Sequence, residues 1–212
     1  MDDLEDLEFP PSFAMKILTY VAKALVADGT IDPTDKSADA ILSAAQEYVL
    51  EHGDEIELDL VLDHTSDLLE QARSFSADGA HDFAVMFYAT WVEHTLNGAL
   101  SALVSRAGLT DSSRKSIIRM GLADKMGVGW EVVHGQEFPT RLRTEVLALA
   151  EARNAFVHYK WNPAPGDGPS ARDEASRKTM ARAQALVSDL TAFVDAEIYG
   201  GNGLEALPAR DG

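Results

Sequence analysis

Residues 83–104 read FAVMFYATWVEHTLNGALSALV, the most apolar stretch of the chain. Apolar side chains cover almost the whole circumference of a helix built from this stretch, which is typical of a helix buried on all sides. We interpret Trp91 and the neighbouring aromatic side chains as core rather than as a platform for stacking nucleic-acid bases. Glu93 and His94 interrupt the apolar surface, and Asn97 lies four residues after Glu93 on the same face.

Helical apolar patterns also occur on both sides of this central stretch, whereas the strand-like alternation of residues 55–62 is isolated. Thr110 and Asp111 are typical of a helix start. We expect Gly127-Val128-Gly129 to break a helix and to begin a loop that reaches Pro139, and we interpret Asp124 and Lys125 as a solvated pair. The predicted helices cover residues 13–29, 37–51, 65–75, 110–122, 140–159 and 170–198.

These patterns predict an all-α protein. The compact part is an up-and-down helical bundle over residues 62–198, preceded by an acidic N-terminal helical extension over residues 1–61. Residues 199–212 are rich in glycine and are expected to form a flexible tail.

The composition excludes several classes of function. The 212 residues include no cysteine, so the chain has no disulfide framework, thiolate metal site or cysteine nucleophile. The histidines show no metal-ligand spacing, so neither a metal nor a cofactor is predicted. The start of the chain is acidic and no apolar run approaches the length of a membrane span, which predicts a soluble, cytoplasmic protein without a membrane partner.

The charge is distributed unevenly along the chain. The formal net charge is -17 in total, and also -17 over residues 1–105, but +4 over residues 106–182 and -4 over the remainder. Basic residues are thus concentrated in the part that precedes the C-terminal segment. This asymmetry is typical of a binding face. The alternative interpretation is that the acidic half only keeps the protein soluble.

Residues 151–160 read EARNAFVHYK and carry the chemistry-bearing side chains. Arg153 presents a planar, permanently charged fork that matches phosphate oxygens. His158 is an imidazole that can exchange a proton near neutral pH, and Asn154 lies four residues before it on the same helix face. Arg153 and His158 are five positions apart, which on a helix is a rise of about 7.5 Å and a rotation of about 140°.

One chain therefore does not direct both groups at a single atom, whereas two such helices across a twofold axis would do so. A phosphodiester in that composite site would have guanidinium groups on its nonbridging oxygens and an imidazole near the 2′-hydroxyl. Cleavage by attack of that hydroxyl needs no metal. The opposite interpretation is structural: Arg153 forms a buried ion pair, with Glu93 as the candidate partner, and His158 is a cation at a helix C-terminus.

The segment resembles the signature of the HEPN (higher eukaryotes and prokaryotes nucleotide-binding) superfamily, which has an Arg, then a polar residue, then a His late in a helical bundle. Arg153, Asn154 and His158 match it, and the resemblance covers roughly residues 62–198. It implies a homodimeric, metal-independent endoribonuclease of a toxin–antitoxin or phage-defence system, with an antitoxin or regulatory protein as a possible partner. The subgroup with a Tyr two residues after the His is not matched, because that position is Lys160.

The sequence predicts Arg153, His158 and Asn154 as catalytic residues, supported by Glu93, Tyr159 and Lys160. A second set of cations can guide the RNA backbone or can be ordinary surface charges: Arg141, Arg143, Arg177, Lys178 and Arg182. The alternative to an enzyme is a non-catalytic HEPN-like binding or scaffold module that recruits a protein or nucleotide partner. In this alternative the acidic N-terminal half recruits a basic partner.

Overall fold

The computed structural model describes residues 11–52, 65–158 and 169–204. Every regular element in these ranges is helical, and they contain no β-strand. The predicted all-α fold class is therefore confirmed. The alternating residues 55–62 and the predicted domain limit between residues 61 and 62 lie outside the described residues.

The chain divides into two compact units, one formed by residues 1–61 and 194–212 and the other by residues 62–193. In the first unit, α1 (Pro11–Ala27) packs against α2 (Ala38–His52). The chain leaves α1 through Gly29, whose φ of 85° is readily adopted only by glycine. The side chain of Ser37 accepts a hydrogen bond from the backbone N–H of Ala40 (3.2 Å) and so caps α2.

The last described residues also belong to the first unit. The carboxylate of Asp195, itself buried, accepts a hydrogen bond from the backbone N–H of Gly203 at 2.8 Å. Leu204 is fully buried. Within the expected tail, Tyr199 and Leu204 are thus buried, Gly200 and Gly201 are exposed, and residues 205–212 lie outside the described residues.

The second unit holds the segment with the HEPN-like motif. Its described helices are α3 (Thr65–Ala77), α4 (His81–Arg106), α5 (Asp111–Ile118), α6 (Leu122–Asp124), α7 (Trp130–His134), α8 (Thr140–Val157) and the start of α9 (Pro169–Tyr199). Residues 194–199 of α9 belong to the first unit.

Helix α4 lies at the centre of this unit and packs against α3, α5, α7 and α8. Its apolar side chains are buried almost throughout, including Trp91, Leu96 and Leu100. The interpretation of Trp91 as a core residue is confirmed. Phe83, in the first turn of α4, is an exception because about half of its surface is exposed.

Helix α5 begins as predicted and ends earlier than predicted. The hydroxyl of Thr110 accepts a hydrogen bond from the backbone N–H of Ser113 at 3.2 Å and caps the helix. The helix ends at Ile118 rather than at Leu122. The backbone N–H of Met120 bonds to the carbonyl of Ile117 (3.1 Å), three residues back, which tightens the last turn before Gly121.

The predicted break at Gly127 is confirmed, whereas the predicted loop up to Pro139 is wrong in its first half. Residues Lys125–Gly129 form a turn, here called the π-helical turn, that is kinked at Gly127, whose φ of -104° and ψ of -115° are not helical. The chain then enters α7, which ends at Gly135 with a φ of 81°. Met126 and Trp130, on either side of the kink, are buried. A Cβ atom at Gly129 would lie 3.1 Å from the carbonyl oxygen of Asp124, so a larger residue there requires the turn to shift by a few tenths of an ångström.

Candidate active site

The motif segment lies at the C-terminal end of α8, which packs against α4. Leu142, Val146 and Leu149 are buried along one stripe of α8. Arg153 continues this stripe by helical spacing and is half-buried. The aliphatic part of an arginine can cover apolar surface while its guanidinium group reaches solvent.

Arg153 makes no ion pair or hydrogen bond with its side chain within the described parts of the chain. Glu93, the candidate partner, instead contacts Lys125, with 3.5 Å between Oε1 and Nζ. The described residues therefore leave the guanidinium group of Arg153 without a carboxylate. A role for Arg153 as one half of a structural ion pair with Glu93 has no support in this geometry.

Asn154 and His158 lie on the solvent-exposed side of the same helix end. The backbone N–H of His158 donates to the carbonyl oxygen of Asn154 at 3.0 Å, which makes His158 the C-cap of α8. The imidazole is thus exposed at a helix C-terminus, where the macrodipole favours positive charge. Tyr159 and Lys160, the other predicted supporting residues, lie outside the described residues.

A cluster of phenylalanines borders this helix end. The rings of Phe83 and Phe156 meet edge to face, with their centroids 5.6 Å apart. Phe75 stacks on Phe83 at 5.5 Å and on Phe87 at 5.3 Å. Phe156 is three residues after Arg153, so the cluster adjoins the motif directly. Val157, next in sequence, is also exposed.

The predicted RNA-guiding cations differ in how they are engaged. Arg141 forms an ion pair with Asp189 at 2.5 Å. Lys178 forms one with Glu174 at 2.7 Å, and its ammonium group lowers the pKa of the Glu174 carboxyl. Both pairs are exposed, so water and salt screen them and RNA phosphates can compete for the cations.

The other three cations of this set, Arg143, Arg177 and Arg182, are exposed and form no ion pair among the described residues. Arg143 extends toward the π-helical turn, because its Nη2 atom is 3.7 Å from the position of a Cβ atom on Gly127. Arg182 and Glu145 line a cavity of about 90 Å³ between α8 and α9. This volume is far below the 300–1,000 Å³ that is usual for small-molecule sites.

The π-helical turn contains a charged residue that the sequence interpretation misplaced. Lys125 is 2% exposed rather than solvated, and its only acidic contact in the described residues is the 3.5 Å approach to Glu93, which is 41% exposed. Burying an ammonium group costs free energy, which a nearby carboxylate partly offsets. Removing that carboxylate would leave the buried charge uncompensated. The sequence feature that could have indicated this burial is the pair of large apolar residues Met126 and Trp130 close to Lys125.

Within the described ranges, no group of three or more histidine, aspartate or glutamate side chains could together hold a metal ion. No helix in the described part of the chain is both long and apolar enough to cross a bilayer. Comparison with known protein families, with curated proteins and with solved structures gives no match to this chain. The HEPN assignment thus stays a prediction that depends on the motif residues.

Proposed function

We propose that this protein is a metal-independent endoribonuclease of HEPN type that acts as a homodimer. The observation that carries the proposal is the contrast at the end of α8. Arg153 is half-buried without a carboxylate among the described residues, and His158 is exposed nearby at the helix terminus. A phosphodiester would supply the negative partner that Arg153 does not have among the described residues.

In the proposed reaction, Arg153 contacts the nonbridging oxygens of the scissile phosphate. His158 of the opposite protomer takes the proton from the 2′-hydroxyl, whose oxygen attacks phosphorus as the bond to the 5′-oxygen breaks. Water protonates the leaving 5′-oxygen, and the resulting hydroxide takes the proton back from the imidazolium of His158. The products carry a 2′,3′-cyclic phosphate and a 5′-hydroxyl. Asn154 positions the imidazole from four residues away.

The twofold arrangement follows from the spacing of the two groups. Five positions on one helix rotate His158 by about 140° from Arg153, so a single protomer points them in different directions. Two α8 ends that meet across an axis would combine the Arg153 of one protomer with the His158 of the other.

The test is cleavage of single-stranded RNA in excess EDTA, with the product ends identified by mass spectrometry. We expect cyclic-phosphate ends from the wild type and a loss of cleavage in Arg153→Ala and His158→Ala. Matched controls are His94→Ala and Arg119→Ala, which remove an exposed imidazole and an exposed guanidinium group elsewhere in the unit. RNA left intact by a folded wild-type dimer would contradict the proposal and favour a binding module.

The biological setting implied by the family resemblance is a cytoplasmic toxin–antitoxin or phage-defence system with a silencing partner protein. Expression in a bacterial host tests it. Growth arrest with the wild type and none with His158→Ala is the expected result. Equal growth of both strains, at equal protein levels, would contradict a toxin role.

A further inference from the structure

Phe83 is placed unusually for a phenylalanine in the most apolar helix of the chain. It is 49% exposed, although most apolar residues of α4 are buried. Phe75 stacks on its ring, and Phe156 meets it edge to face. The side chain of Asp82, the residue before it, accepts a hydrogen bond from the hydroxyl of Ser176 on α9. The ring is thus held by its neighbours while part of its surface faces solvent.

This exposed ring lies beside the proposed phosphate-binding group. Residues three apart on a helix have Cβ atoms about 5–6 Å apart, so Phe156 is an immediate neighbour of Arg153. Phe83 in turn contacts Phe156, at 5.6 Å between ring centroids. Phe156 is therefore the one residue between Arg153 and the exposed ring.

We infer that Phe83 stacks an unpaired base next to the scissile phosphate, and that the substrate is therefore single-stranded RNA. This inference rests on the proposed ribonuclease function and specifies its substrate class. Aromatic side chains bind bases of any identity through their π-faces, at about 1–3 kcal/mol per base. In a duplex both faces of each base are covered by neighbouring bases, so a paired strand cannot use this ring.

The surroundings of Phe83 favour a base over a protein partner. The adjoining exposed apolar residue at this end of α8 is Val157, and the neighbouring Asn154 and His158 are polar and exposed. A stable protein interface buries about 800 Å² on each partner around an apolar centre. One exposed aromatic ring that contacts the neighbour of Arg153 matches the alternating base and phosphate of a nucleic-acid strand better.

The test uses a short 2′-O-methyl oligoadenylate that carries 2-aminopurine, whose fluorescence falls when the base stacks and whose backbone cannot be cleaved by 2′-hydroxyl attack. Phe83→Leu keeps an apolar side chain for Phe75 and Phe156 but removes the aromatic face. We expect it to weaken binding roughly 5- to 150-fold and to abolish the quenching. Phe83→Trp should retain both the binding affinity and the quenching. The control is Val132→Ala, which truncates an exposed apolar side chain elsewhere in the unit and should change neither the affinity nor the quenching.

A matching oligonucleotide with an abasic site at the probe position separates stacking from a subunit contact. Wild type and Phe83→Leu should bind it equally. A Phe83→Leu variant that binds both oligonucleotides with wild-type affinity, or that weakens both equally with a change in sedimentation, would overturn the inference. Quenching that depends on Phe83 in a protein that cleaves no RNA would support the inference and contradict the proposed function. If the wild type cleaves RNA and Phe83→Leu binds the oligonucleotide with unchanged affinity, the proposed function would be supported and the inference about Phe83 contradicted.

Discussion

The C-terminal end of α8 and the π-helical turn each place a cation beside α4. The two cations differ in how deeply they are buried and in whether a carboxylate contacts them. At the turn, Lys125 is buried and the protein supplies its counter-charge from Glu93. At the helix end, Arg153 is half-buried and the described residues supply no carboxylate. Glu93, which the sequence suggested as the partner of Arg153, instead contacts Lys125, the more deeply buried of the two cations. A surface cation that remains without a protein partner is available to a ligand.

The largest expected effect is on catalysis at the end of α8. His158→Ala should lower kcat by about 10²- to 10⁴-fold, the usual contribution of a general acid or base. The free energy of unfolding should change by less than about 0.5 kcal/mol, because the side chain is exposed. Arg153→Met should likewise remove cleavage, because the phosphate-binding guanidinium group is lost. The free energy of unfolding should stay the same or rise, because an uncharged side chain then occupies this position on the apolar stripe of α8. Urea unfolding alongside single-turnover kinetics measures both, and a large loss of stability in either variant would contradict the comparison.

The next effect concerns stability at the π-helical turn. Glu93→Gln leaves the ammonium group of Lys125 buried without a carboxylate, and such changes usually cost 3–5 kcal/mol. We expect about 3 kcal/mol, at the lower end, because Glu93 is 41% exposed and water partly replaces it. The control is the double variant with Lys125→Met, which removes both charges and should recover most of the loss. If the single variant unfolds at the same urea concentration as the wild type, the pair has no structural role.

A smaller effect on stability is expected when either of two glycines, one in the π-helical turn and one in α4, is replaced by alanine. Gly129→Ala places a Cβ atom 3.1 Å from a backbone oxygen and 3.3 Å from the sulfur of Met120, so we expect a loss of about 1–3 kcal/mol. Gly98→Ala, in the interior of α4, meets nothing within 4 Å and should raise stability by about 0.5–1 kcal/mol through helix propensity. Thermal unfolding of both variants should shift in opposite directions. Equal shifts would show that the turn can relax.

The smallest effect is expected for an exposed ion pair, the opposite extreme from Lys125. Lys115 and Arg114 hold the pKa of the Asp111 carboxyl below its ordinary value. A lowered folded-state pKa stabilises the fold above the unfolded value, and this stabilisation is lost as the pH falls through the folded value. Asp111→Asn should thus reduce the melting temperature slightly at pH 7, and the difference from the wild type should shrink as the pH falls below the ordinary pKa of an aspartate. A difference that stays constant as the pH falls would assign the effect to the helix start instead.

The sequence predicted what depends on local chemistry and on periodicity. The cap at Thr110 depends on one hydroxyl and one nearby N–H group, and the helix that begins at Thr140 depends on the periodicity of its apolar residues. Both were confirmed because no distant residue has to be known for either. The placement of the motif at the end of this helix has the same origin.

The rest depends on contacts between distant residues. The glycines indicated a loop, whereas the backbone is non-helical only at Gly127, and Met126 and Trp130 are buried on either side of it. The partner of Glu93 could not be read from charge alone, because Lys125 and Arg153 are equally plausible until their burial is known. The exposure of Phe83 was missed for the same reason.

The ring contact between Phe83 and Phe156 also has a consequence for synthesis. It joins the beginning of α4 to the end of α8, two segments that are far apart in the chain. Contacts of this kind form only after the intervening residues have been made and folded. A nascent chain halted before α8 is complete therefore lacks both the complete motif and the contact between Phe83 and Phe156. Any harmful activity of the proposed kind would be confined to chains translated past that point.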